Sequence, residues 1–232
     1  MGAHYPTVRG VGAFQGGAAS LTHTIGGTSG ISEPGDLILI FLESANQTFT
    51  APVGGGYLAL GSSPQGIGAN PGAANATRLT IFYKIATGAE TTYVTGDSGD
   101  HNIVCSLVIA NVDIANPINV TAGNTATAAT AITFPAVTTT VPECLVINAV
   151  TTDRDINNEP YFTNIVNANL ANITQRVNRT FNTGQGGGIG VFTGQKATAG
   201  TTGSTTASQP VSEETARITL AIAPLRRRIA IT

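Results

Sequence analysis

The feature that most constrains this chain is a succession of short apolar runs cut off by Gly, Pro, Asn and Asp. The runs are Thr7–Phe14, Leu21–Ile25, Asp36–Glu43, Leu79–Ile85, Thr91–Thr95 and His101–Val112. They continue as Ile118–Thr121, Ala131–Phe134, Leu145–Thr151, Ile173–Phe181, Gly188–Thr193 and Ala216–Ala223. All have strand length and are rich in Val, Ile and Thr, whose branched side chains suit a pleated, half-buried surface. Helical spacing is poor; the best window is Tyr161–Asn172, where Phe162, Ile165, Val166 and Leu170 fall partly on one face. About twelve strands with turn signals between them predict an all-β fold, an antiparallel jelly-roll-like β-sandwich with long loops and extended termini. The expected division is an N-terminal arm over 1–17, a sandwich domain over 18–224 and a C-terminal tail over 225–232. Pro52–Asn75, Thr121–Thr130 and Lys196–Pro210 are expected to be loops, and no regular internal repeat is read.

Composition removes several function classes. Charged residues make up 10% of the 232, and the net charge is −2, against a usual charged share of about 25%. A few scattered positive charges do not make a nucleic-acid footprint. No apolar run reaches the roughly 18 residues of a membrane-spanning helix. Met1–Gly10 has no basic segment leading into an apolar one, so no secretory signal is expected. Cys105 and Cys144 both sit in apolar runs and read as buried thiols, with a disulfide between neighbouring strands as the alternative.

Candidate chemistry is sparse. Asp153, Asp155 and Asn157 place oxygen ligands at alternate positions, as a Ca²⁺ loop does at its start, although neither the Gly at position 6 nor the Glu at position 12 follows. A polar turn is the plainer reading, so no metal and no cofactor are expected. Asp97, Asp100 and His101 lie together before a strand, where a carboxylate could orient a histidine base, but their composition is that of a turn. Gly54–Gly56 and Gly186–Gly188 lack the Lys-Ser/Thr of a phosphate loop. No carboxylate pair suited to glycoside hydrolysis is visible, and no enzymatic activity is expected. Arg226, Arg227 and Arg228 form the one charge run; with Ile229 and Ile231 they are candidate partner contacts, the tail adding a strand to a neighbour's sheet.

Several stretches resemble a known group in their order along the chain. They are Glu33–Ser44 (EPGDLILIFLES), Phe49-Thr-Ala-Pro52, Leu79–Ala86 (LTIFYKIA), Val112–Ile118 (VDIANPI), Thr138–Asp153 (TTTVPECLVINAVTTD) and Ala216–Ala221. This series resembles tailed-bacteriophage virion proteins with a jelly-roll-like or related β-sandwich, over residues 7–223. Where many members carry Gly-Trp-Thr, this chain has Gly54-Gly-Gly-Tyr57. The resemblance implies a capsid decoration (cement) protein that binds the outer shell and stabilises capsomer junctions. Its implied partners are the major capsid protein and further copies of itself in a homotrimer, with no nucleic acid and no membrane. Its implied place is the virion surface, after synthesis in the host cytoplasm. The alternative is a tail-fibre or receptor-binding module that recognises a host glycan through loops such as Asn46–Tyr57 and Asn157–Tyr161.

Overall fold

The computed structural model describes residues 4–26, 32–52, 55–68 and 71–226. The first half of the chain contributes β1 (Thr7–Gly17), β2 (Thr22–Thr24), β3 (Leu37–Ser44), β4 (Leu58–Ala59), β5 (Gln65–Ile67), β6 (Thr77–Ile85), β7 (Thr92–Val94) and β8 (Asn102–Ala110). The second contributes β9 (Ile118–Thr133), β10 (Thr138–Thr139), β11 (Cys144–Thr152), β12 (Thr163–Val166), β13 (Ala171–Phe181), β14 (Gly187–Lys196), β15 (Gly200–Thr201) and β16 (Thr206–Ile222). Every pairing is antiparallel, and two large sheets pack face to face, so the expected all-β sandwich forms. Each sheet is filled from one half of the chain. The first runs β1-β8-β3-β6-β4, with β5 also on β6; the second runs β12-β16-β11-β14-β13, with β9 also on β16.

The two halves share a strand order, although the sequence shows no regular internal repeat. In each, the first long strand pairs with the last, the last pairs with the central strand, and the central strand pairs with the penultimate long one. Register is also repeated. Ile40 of β3 stands between Phe82 and Ser106, and Asn148 of β11 stands between Phe192 and Thr219. Each half carries a small two-stranded ladder, β2 with β7 and β10 with β15. Beside each ladder the same hydroxyl latch recurs. The Leu21 amide donates to Thr95 Oγ1 at 2.9 Å, and that hydroxyl donates to the Gly96 carbonyl at 2.7 Å. The Val137 amide donates to Thr202 Oγ1 at 3.1 Å, and that hydroxyl donates to the Gly203 carbonyl at 2.9 Å. Both central strands are entered through a Pro and a left-handed residue, Gly35 at φ 91 and Glu143 at φ 60.

The core explains the uninterrupted apolar runs. Leu37, Leu39 and Phe41 of β3 share the inter-sheet layer with Leu145, Ile147 and Ala149 of β11 and with Leu107, Ile109, Leu220 and Ile222, β3 lying across from β14 and β11 across from β6. The outer faces are covered too. Ile38, Ile40 and Leu42 lie under Ile25, Phe49 and Tyr93, and Val150 and Phe192 lie under Phe134, Tyr161 and Phe162. Strands buried on both faces lose the apolar–polar alternation of a half-exposed sheet, and all eight residues of β3 are buried. Cys105 and Cys144 are free buried thiols, one in the inter-sheet layer and one on the outer face of the second sheet.

Several local expectations change. Thr7–Gly17, placed in an arm, is the edge strand of the first sheet. The Thr121–Thr130 stretch lies within β9, and Lys196–Pro210 holds β15 and the start of β16. Their Thr-rich composition suits a strand once a partner ladder supplies the hydrogen bonds. The window Tyr161–Asn172 contains β12 and the start of β13 and no helical turn. The described residues of Pro52–Asn75 include β4 and β5.

Candidate functional site

Two charged clusters sit at corresponding ends of the two halves, where the central strand stops and the last strand begins. In the first half, Glu43 near the end of β3 meets His101, which precedes β8. His101 Nε2 is 2.8 Å from Glu43 Oε2, and Nδ1 is 2.9 Å from Asp100 Oδ2. Thr77 Oγ1 donates to Glu43 Oε1 at 3.0 Å, and the Gln185 amide donates to Asp100 Oδ2 at 2.6 Å. The Glu43 and His101 side chains are fully buried. Burial alone would push the imidazole down, but the two carboxylates outweigh it and raise His101 to about 9. The ring therefore donates through both nitrogens. Glu43 is itself raised by burial, against the pull of His101 and Thr77. Gly187, at the start of β14, closes this site: a Cβ there would strike the Glu43 carboxylate.

In the second half the same end gathers carboxylates instead. Asp153 follows β11 and lies beside Glu213 of β16, whose Oε1 accepts from Arg154 Nη1 at 2.9 Å. Burial, and next the negative charge of Glu213, raise Asp153 to about 7. The Ca²⁺ pattern does not converge. Asp153 turns to Glu213, Asp155 packs against Gly186, and Asn157 Nδ2 donates to Asn182 Oδ1 at 2.7 Å. Alternate residues here leave a strand end and enter a turn, so their side chains point to different neighbours. Among the described residues no group of three His, Cys, Asp or Glu side chains is arranged to hold a metal.

A third polar chain is buried beneath β2. His23 Nδ1 lies 2.8 Å from Gln15 Oε1, and Nε2 lies 2.9 Å from Ser106 Oγ. The amide oxygen accepts only, so Nδ1 carries the proton and Nε2 accepts from the serine. Burial lowers His23 to about 4, which keeps the ring neutral. The sequence of hydroxyl, imidazole and amide is that of an activated nucleophile. Ser106 is 0% exposed and His23 1%, so it serves to tie β1, β2 and β8 together.

The remaining predicted contacts divide. Arg226 Nε is 3.2 Å from Asp113 Oδ2, so the first Arg of the run is held by its own chain; Arg227, Arg228, Ile229 and Ile231 lie outside the described residues. Asp97 Oδ1 accepts from the Gly99 amide at 2.9 Å, in the expected turn. Tyr161 is 1% exposed, and Tyr57 packs edge-on against Tyr93 at 5.1 Å, so Tyr161 offers no ring face to a sugar.

Sequence reasoning missed one large surface element. The paired strands β9 and β16 are 16 and 17 residues long, whereas their counterparts β1 and β8 have 11 and 9. The excess, Ala126–Thr133 against Thr206–Glu214, is a ribbon with no equivalent in the first half. β9 carries no charged residue, and among the described strands it pairs only with β16. Its charge-free length was readable in the sequence, but not its position at a sheet edge. No family model matches this chain, and neither the curated proteins nor the solved structures contain a significant match.

Proposed function

We propose that this chain is a structural protein of a bacteriophage virion, of the capsid decoration class, that binds the outer shell at capsomer junctions. The observation that carries the reading is the charge-free length of β9, 16 residues without a Lys, Arg, Asp or Glu, whose exposed side chains over 125–131 are all Thr and Ala. Isolated soluble proteins guard such edges with Lys, Pro or bulges. Register shifts bend β9 against β16, but it carries no Lys and no Pro; a charge-free edge suits a protein whose edge is covered after assembly. Weakly charged surfaces of this kind bury without the desolvation cost of ions, and their contacts change little with salt. The partners are the major capsid protein and further copies of the same chain in a homotrimer.

The test is the copy number and position of the chain in purified particles. Hundreds of copies, with density at capsomer junctions in a particle map, are the expected result. A few copies confined to the tail would overturn the decoration reading. Ala128→Glu on the exposed face of β9 is expected to lower shell occupancy while leaving the melting temperature of the free protein unchanged.

A further inference from the structure

The opposite side of the sandwich carries a different feature. There β1, the edge of the first sheet, lies over β13, the edge of the second. Phe14 and Phe181 meet edge-on at 6.2 Å. Beside this contact, two hollows of about 330 and 210 Å³ adjoin along the seam. Arg176 lines both. Its Nε donates to Thr193 Oγ1 at 2.9 Å, and among the described residues no carboxylate lies within ion-pair distance of it. Half-burial lowers its guanidinium pKa without neutralising it. Arg179, in the larger hollow, lies over the Phe14 ring at 5.3 Å, and its ion pair with Glu159 is long at 3.7 Å and largely exposed.

We infer that this seam is a binding site for a carboxylate-bearing saccharide, with Arg176 as the carboxylate receptor. A guanidinium fixed through Nε and lacking an acid partner presents its remaining N–H groups in the planar fork that matches a carboxylate. Around it stand the hydroxyls and amides of Thr7, Thr174, Asn172, Gln175 and Gln195, of which Asn172 Nδ2 donates to Gln195 Oε1, groups that both donate and accept as sugar hydroxyls require, while Glu159, paired with Arg179, also lines the larger hollow. An acidic peptide added as a strand is the weaker fit. Register shifts interrupt β1 between Val8 and Gly10 and between Gly12 and Gln15. They interrupt β13 between Ala171 and Thr174 and between Gln175 and Val177. Bulged edges do not offer a continuous ladder. The inference does not depend on the virion reading.

The test is ligand-observed NMR and calorimetry on the full chain with trigalacturonate and sialyllactose, lactose as the neutral control and a hexaglutamate peptide as the rival. At least one acidic saccharide is expected to bind about tenfold or more tightly than lactose. Arg176→Gln is expected to remove that advantage, and Arg176→Lys to restore part of it, with melting temperatures reported alongside to show intact folds. The proposal is overturned by equal binding of lactose, by undiminished binding to a folded Arg176→Gln protein, by preference for the peptide, or by no binding of either acidic saccharide.

Discussion

The two halves of this protein share a strand order and a register but not a chemistry. At the end of the first half, Glu43 and His101 form a buried pair of opposite charge, with Asp100 and Thr77 completing it. At the same place in the second half, Asp153 and Glu213 bring two acids together, with Arg154 paired to Glu213. The lesson is that a strand pattern tolerates very different solutions where a strand end must turn. One solution closes the end; the other strains it, beside a ribbon that the first half lacks.

The largest expected effect comes from removing a partner in the satisfied cluster. Glu43→Ala is expected to cost about 3–5 kcal/mol, because it strands a buried imidazolium. Asp153→Ala is expected to cost little or to stabilise, since it relieves a crowded pair. Urea unfolding of the two variants measures the contrast, and equal losses would erase it. Next come equivalent core positions. Leu39→Ala and Ile147→Ala are each expected to cost about 2–5 kcal/mol, in one cooperative transition. Two separated transitions would show that the halves unfold independently.

The pH dependence should separate the ends. Asp153 is raised to about 7, so the folded chain keeps a proton that the unfolded chain releases near pH 4. Its contribution is therefore lost as pH rises from about 4 to about 7. His101 is raised to about 9, so its contribution is full below about 6.5 and is lost as pH rises through 9. Asp153→Asn is expected to flatten the lower window of a urea-midpoint profile and leave the upper one. The smallest effect concerns the shared latch. Thr95→Val and Thr202→Val are each expected to cost about 1 kcal/mol and to speed hydrogen exchange at Leu21 and Val137, respectively.

Much of the fold was legible because its central strands are buried on both faces. Asp36–Glu43 and Leu145–Thr151 announce themselves as near-continuous apolar runs. The ribbon was not legible, because a run such as Thr-Ala-Thr-Ala-Ala-Thr has no contrast between its two faces. The repeat hid because equivalent residues share a place and not an identity: Ile40 matches Asn148, and Val104 matches Arg217. Its faint traces are Ser106-Leu-Val-Ile-Ala110 beside Thr219-Leu-Ala-Ile-Ala223, and Pro34 beside Pro142. Of the charged ends, Asp100, His101 and Asp153 stand beside other polar residues in the sequence. Glu43 and Glu213 each meet their partner across about sixty residues of chain.

Filling each sheet from one half of the chain also sets an order of events during synthesis. The first sheet has all its strands once Ala110 has emerged, yet Leu37, Leu39 and Phe41 have nothing to cover them until the second sheet, with β14 across from β3, is made. At about 5–20 residues per second, that interval is on the order of ten seconds. For that time the nascent chain holds out a broad apolar face with few charges to keep neighbouring chains away. A ribosome-bound intermediate of this kind is expected to recruit chaperones when translation is stalled between the halves, and selective pull-down of such stalled chains would measure it.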